Sequence, residues 1–128
     1  MTRRYTVWIL VALIVAVALS ACGGSPTPTP PPAIKTFAVE ATEFAFAPNS
    51  FTARVGDEVT FNVTNKGTLE HNFVVFDPSG NEIGRITIAV GATATVKVKP
   101  AAAGAYAIDC DIPGHKESGM LATLTVNP

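Results

Sequence analysis

From Ile34 to Asn127 apolar and polar residues alternate with a period of two, and this pattern restricts the possible folds most strongly. The alternating segments are short, and Gly, Pro, Asn or Asp bounds each of them. We find no convincing helical spacing and no internal repeat. The pattern predicts an all-β domain of about 95 residues, with seven or eight strands in a two-sheet sandwich that has its own core without disulfides. Turns are expected at 55–57, 65–67, 77–81 and 89–91.

The N-terminus reads differently, since Arg3 and Arg4 precede an apolar run over residues 7–19. Residues 1–21 are therefore predicted to be a secretion signal. The sequence Leu-Ser-Ala-Cys at its end resembles a bacterial lipobox, which implies cleavage before Cys22 and lipid on that residue. Two readings stay open: an uncleaved segment retained as an anchor, and Cys22 as a free thiol in a leader cut elsewhere. The export route is also open.

Residues 22–33 form a Pro-rich linker, since they lack apolar periodicity and hold five prolines. It is either a semi-rigid polyproline stalk or a disordered spacer without a length requirement. The third part, residues 34–128, is the folded domain. Removing residues 1–21 takes away two of nine basic residues and none of ten acidic ones, so the remainder carries a net charge of −3. A mildly acidic domain does not attract nucleic acid.

Past Cys22, the chain contains one Cys, one Met and two His. Strand alternation points Cys110 inward with Tyr106 and Ile108, and it points Met120 inward with the apolar residues of the last strand. His71 is likewise in phase with inward-facing neighbours, and His115 lies in the loop between two of these strands. The four side chains are therefore predicted to converge at one end of the sandwich: His71, Cys110, His115 and Met120.

One thiolate, two imidazoles and one thioether form a donor set suited to both Cu(II) and Cu(I), with the thioether as a weak axial contact. Zinc prefers four strong ligands or three with a water, and calcium and magnesium prefer oxygen. Each residue alone is compatible with an ordinary place in a protein core. In an exported domain, however, an unpaired Cys110 is exposed to oxidation unless a metal occupies it. We therefore predict a copper site.

The stretch from Gly104 to Cys110, continuing through Gly114-His115 to Met120 and Val126, resembles the C-terminal signature of cupredoxins, the type 1 blue copper proteins. The similarity extends back through residues 55–61 and 69–73. The Cys-x4-His-x4-Met spacing is similar to that of auracyanin and rusticyanin, whereas the interval from His71 to Cys110 is closer to that of plastocyanin and pseudoazurin. The subfamily is therefore open between auracyanin-like and plastocyanin-like.

The resemblance implies a Greek-key β-sandwich and one type 1 copper ion, with His71, Cys110 and His115 as equatorial ligands and Met120 as the axial one. It implies that Asn72 ties the upstream ligand strand to the Cys loop, or else is a plain outward polar residue. Pro113 and Gly114 would shape the loop so that the edge of His115 reaches the surface, although Pro113 also fits a simple turn.

One departure from the family pattern concerns electron transfer, since plastocyanins have an aromatic residue immediately before the ligand Cys and this chain has Asp109. A route through that position is therefore in doubt. Together with three other acidic residues it makes the site end acidic, which either favours a basic redox partner or reflects charges solvated on a rim. The other three are Glu70, Asp111 and Glu117.

These features favour an electron carrier, tethered by lipid on the periplasmic or cell-surface side of a membrane, that is monomeric and exchanges electrons with redox partner proteins. The alternative is an extracytoplasmic protein for copper storage or delivery. An enzyme is disfavoured because multicopper enzymes need further His-rich centres and both His residues are already assigned.

Overall fold

A computed structural model describes residues 30–128. The predicted secretion signal, Cys22 and most of the linker lie outside the described residues. Nine strands fill the described part, and no α-helix occurs between residues 30 and 128. They are β1 (Ile34–Thr42), β2 (Ala45–Ala47), β3 (Ser50–Arg54), β4 (Glu58–Asn65), β5 (His71–Phe76), β6 (Glu82–Ile88), β7 (Thr93–Val98), β8 (Gly104–Asp109) and β9 (Leu121–Asn127).

The strands form two sheets, in the orders β2-β1-β4-β7 and β3-β9-β8-β5-β6. The pairs β1–β4 and β3–β9 are parallel, and the other neighbours are antiparallel. The predicted all-β sandwich is confirmed. The prediction of seven or eight strands falls short because β2 has three residues and a single buried apolar side chain, Phe46, which is too short for alternation to be visible in the sequence.

Alternation along the strands builds the core between the sheets. In β4, Val59, Phe61 and Val63 are completely buried, as the period of two predicts. Aromatic rings fill the centre, where Phe61 contacts Phe51 and Phe73 at centroid distances of 5.0 and 5.1 Å. Burying these rings stabilises the sandwich.

The two ends of the sandwich differ in content. The far end holds the start of β1, the turn from β3 to β4 and the start of β8. There the Tyr106 hydroxyl donates to the Ala102 carbonyl at 3.0 Å, and Asp57 accepts bonds from the amides of Ala33 and Arg54 at 2.8 and 2.9 Å. The site end holds the end of β1 and β4, the start of β5, the end of β8 and the start of β9.

Within residues 30–128 the structure contains no helix that is long and apolar enough to cross a membrane.

Candidate metal centre

The antiparallel pairing of β5 with β8 and of β8 with β9 brings three predicted ligands to the site end. His71 is the first residue of β5, Cys110 directly follows β8, and Met120 directly precedes β9. The Cys110 amide donates to the Met120 carbonyl at 3.2 Å, which closes the loop between them. Both side chains are fully buried, as is His71.

His115 lies in that loop, which folds into consecutive turns. The His115 amide donates to the Ile112 carbonyl at 3.0 Å, and the Met120 amide donates to the His115 carbonyl at 3.1 Å. Gly114 has φ +87°, in the left-handed region that favours glycine. This backbone turns His115 toward the core, where it is 7% exposed. The edge of His115 that was expected to reach the surface is therefore small.

Three donor atoms converge on one point between the strands and the loop. Nδ1 of His71 lies 3.2 Å from Nδ1 of His115, and Sγ of Cys110 lies 3.5 Å from Nδ1 of His115. Ligand atoms of the three residues all lie within 4.8 Å of one another. Within residues 30–128 this is the one cluster of its kind. Backbone hydrogen bonds to His115 and Cys110 hold Met120 next to this cluster, and its side chain is buried.

The chemistry of this donor set fits copper. Two imidazoles and a thiolate are the strong donors, and no carboxylate is part of the cluster. Burial lowers the pKa of His71, with a smaller contribution from His115 nearby. A lowered pKa favours the neutral imidazole, which is the form that binds a metal.

Asn72 contacts Cys110 and the residue that follows it, Asp111. Its backbone amide donates to Cys110 Sγ at 3.3 Å, and its side-chain Nδ2 donates to Asp111 Oδ1 at 2.8 Å. The Thr87 hydroxyl donates to Asn72 Oδ1 at 2.8 Å, which fixes the orientation of the side-chain amide. The residue therefore bridges β5 and the segment after β8, and its N–H stabilises a thiolate at Cys110.

Asp111 also binds an arginine on the outer surface of the sheet. Arg85 lies 2.8 Å from both Asp111 and Glu82, and these bonds lower the pKa of both carboxyls. All three side chains are about two-fifths exposed, and exposed ion pairs add little stability. The main effect of this network is therefore to orient the Cys loop.

Asp109 corrects one sequence expectation. Its side chain points away from the core, as alternation predicts, yet it is only 3% exposed and is not a solvated rim charge. The cause is the loop, which brings Lys116 onto the outer face of β8 so that its Nζ lies 2.5 Å from Asp109 Oδ2. The ion pair joins the residue before Cys110 to the residue after His115, and it raises the pKa of Lys116.

Three further residues at this end had no signal in the sequence as contributors to the site, although Asn65 lies in a turn that was predicted. Asn65 is buried and donates Nδ2 to the carbonyls of Leu69 and Ile88 at 2.7 and 3.0 Å, which shapes the segment before His71. Glu43 and Phe44, in the turn from β1 to β2, contact the same segment and His115, respectively. Alternation of apolar and polar residues predicts strands and their buried faces. It does not predict these contacts, which join segments that are distant from one another in the sequence.

Comparisons with known proteins agree with this geometry. The family model of the cupredoxin-like domain matches residues 9–126. Plastocyanin of Vicia faba is 37% identical over 94 residues, covering 65% of this chain and 88% of that protein. The copper-resistant cuproprotein CopI of Rubrivivax gelatinosus is 30% identical over 97 residues, covering 63% of this chain. The chain spans about three-fifths (59%) of the length of CopI.

Solved structures give the same result for the fold. Auracyanin B superposes with a TM-score of 0.67 at 26% identity, covering 83% of this chain and 97% of that one. Reduced auracyanin of Roseiflexus castenholzii superposes with a TM-score of 0.66 at 22% identity, covering 75% and 97%. The donor set, the family model and these relatives together assign one type 1 copper ion as the cofactor. The chain belongs to the cupredoxin family.

Proposed function

We propose that the protein carries single electrons between redox partner proteins. The observation that supports this most is the buried convergence of His71, Cys110 and His115 within 4.8 Å. Copper held by such a set supplies one-electron chemistry by alternating between Cu(I) and Cu(II). The role of the chain is to hold the three donors in one arrangement that suits both oxidation states.

Hydrogen bonds around the donors support this role. Asn72 binds Cys110 Sγ, Asn65 shapes the segment before His71, and the turns of the loop hold His115. A cage fixed in this way rearranges little when the charge changes, which favours fast transfer. His115 is the one member of the three-residue cluster with measurable exposure, so we expect electrons to pass between a docked partner and the site at this residue.

The test is redox cycling of the copper-loaded chain with a soluble mediator. We expect one electron per bound copper, complete reversibility and no loss of metal over repeated cycles. A copper complex that stays redox-silent in this assay would contradict the proposal.

Copper storage or delivery is a second candidate, favoured by the similarity to a protein whose name states copper resistance. Competition with a Cu(I) chelator separates the two functions. A carrier with a buried cage should release Cu(I) slowly, whereas a delivery protein should exchange it rapidly. We propose that the protein is not itself an enzyme, because multicopper enzymes need further His-rich centres and both histidines of this chain belong to the one cluster.

We further propose that the chain is exported, cleaved before Cys22 and held at the outer face of a membrane by lipid on that residue. The Leu-Ser-Ala-Cys motif supports this. Detergent phase partitioning tests it, because the wild type should enter the detergent phase and Cys22→Ser should remain in the aqueous phase. Equal partitioning of both would contradict lipidation.

Size-exclusion chromatography of the soluble fraction tests the proposed monomer.

A further inference from the structure

The turn between β1 and β2 contacts both segments that carry the histidines of the site. Glu43 Oε1 accepts hydrogen bonds from the amides of Thr68 and Leu69 at 2.5 and 3.0 Å. Leu69 is two residues before His71. The next residue of the turn, Phe44, packs against His115 in an edge-on arrangement, with ring centroids 5.2 Å apart and an interplanar angle of 82°.

The carboxylate of Glu43 occupies a closely fitted position. A Cβ placed on Gly67 would lie 2.5 Å from Glu43 Oε1 and 2.8 Å from Oε2, so any larger residue at position 67 would displace the carboxylate. Asn65 Oδ1 accepts a hydrogen bond from the Gly67 amide at 2.9 Å, which holds the same segment at a second point. The segment leading to His71 is thus fixed by two side chains from different strands and turns.

The backbone of Phe44 is strained. Its φ is +66°, and it is the one non-glycine residue with positive φ among residues 30–128. A bulky aromatic residue rarely adopts this conformation, which glycine or asparagine adopts more readily. The residue is also 39% exposed, so burial in the core does not account for its conformation. Strain of this kind persists where surrounding contacts determine the conformation, and it is concentrated at functional sites.

We propose that Glu43 and Phe44 are positioning residues for the copper site, with Glu43 fixing the approach to His71 and Phe44 fixing the ring of His115. One turn thereby sets the relation between two imidazoles that come from distant parts of the chain. Phe44 also covers His115 and keeps water from it. This inference rests on the proposed copper function for its redox consequences, but its structural part holds for the metal-free protein.

The first test uses the metal-free full chain and two substitutions at Glu43. Glu43→Ala removes the acceptor, so hydrogen exchange of the Thr68 and Leu69 amides should accelerate about tenfold, as expected for a lost hydrogen bond to a charged group. Glu43→Gln retains an oxygen acceptor and should restore most of the protection. Asp57→Ala is the matched control, because Asp57 also accepts two backbone bonds but lies at the far end. It should leave these two amides unchanged.

The second test uses Phe44→Gly, which removes the ring and relieves the strained backbone, so that the variant is expected to fold. In the metal-free protein the His115 ring resonances should broaden through exchange between orientations. In the copper-loaded protein the reduction potential should fall, because water reaching His115 stabilises the more highly charged oxidised state. Val55→Gly is the control, since Val55 has a similar exposure of 38% in a far-end turn.

Unchanged exchange in Glu43→Ala, together with unchanged His115 resonances and potential in Phe44→Gly, would overturn the proposal. Equal effects of the far-end controls on the same signals would overturn it as well. A wild-type chain that is redox-silent with copper would contradict the proposed function, whereas the metal-free measurements would still decide the positioning role.

Discussion

Two carboxylates, Asp57 and Glu43, make the same kind of contact at opposite ends of the sandwich. Each accepts hydrogen bonds from two backbone amides of other segments, and these bonds lower the pKa of each carboxyl. Asp57 is buried and joins Ala33 to Arg54, which closes the far end. Glu43 is exposed and joins its turn to the segment before His71. The same interaction, a carboxylate that accepts two backbone amide bonds, thus closes the sandwich at one end and positions a ligand at the other.

The ends also differ in what they leave unsatisfied. Among residues 30–128, the two buried side-chain atoms without a hydrogen-bond partner are His71 Nε2 and Asp109 Oδ1, and both lie at the site end. Phe44, with its strained backbone, lies there too. The far end has the Tyr106 and Asp57 contacts and neither feature. Local rules of stability are therefore broken where the metal donors meet, as expected of a functional site.

The largest expected effect is on visible absorption, which a substitution at the site end should abolish and one at the far end should not change. Cys110→Ser should abolish the intense visible absorption of the copper-loaded protein, because the thiolate is the donor that produces it, while the β-sheet circular dichroism is retained. Tyr106→Phe, four residues earlier in β8 and at the far end, should keep the full absorption. If the serine variant remained intensely blue, Cys110 would not be a ligand.

The largest effect on stability alone should come from the aromatic core. Phe51 contacts the rings of Phe37 and Phe61 at 5.0 Å, so Phe51→Ala should lower the free energy of unfolding by about 3–5 kcal/mol. The visible spectrum should be unchanged once the variant is folded with copper. Urea unfolding followed by circular dichroism measures the first quantity, and a changed spectrum would show that the core and the site are coupled.

Substitutions of Met120 should change the reduction potential of the copper site without opening the sandwich. If it is the axial donor, Met120→Leu should raise the reduction potential and Met120→Gln should lower it, because a stronger axial donor stabilises Cu(II). Spectroelectrochemistry of both variants against the wild type provides the measurement. Identical potentials in all three proteins would remove Met120 from the site.

The smallest expected effect is a pH dependence at the far end. The pKa of Asp57 lies below its ordinary value of 3.8 because backbone amides bind the carboxylate. Its contribution to stability is therefore present above pH 3.8 and lost as the pH falls through the lower pKa of the folded state. Asp57→Asn should be less stable at neutral pH and show a flatter loss of stability below pH 3.8, with the potential unchanged. Acid unfolding curves that match those of the wild type would contradict this account.

The strands of this molecule were predicted well from the sequence. In a strand that is buried on one face, every second residue is apolar, so the pattern shows which side chains point inward. His71, Cys110 and the apolar positions of β4 and β9 all lie where alternation places them. Tertiary contacts between turns carry no such periodic signal. The contributions of Glu43, Phe44 and Asn65 to the site therefore went unrecognised. Of the two readings of Asp109, a solvated rim charge is wrong, because the cover that Lys116 provides depends on how the loop folds.

The most direct test of the central claim is the visible and paramagnetic-resonance spectrum of the chain loaded with one Cu(II). We predict an intense blue absorption with the narrow copper hyperfine splitting of a type 1 centre, at one copper per chain. A pale complex with the wide splitting of ordinary tetragonal Cu(II) would show that His71, Cys110 and His115 do not together bind the metal.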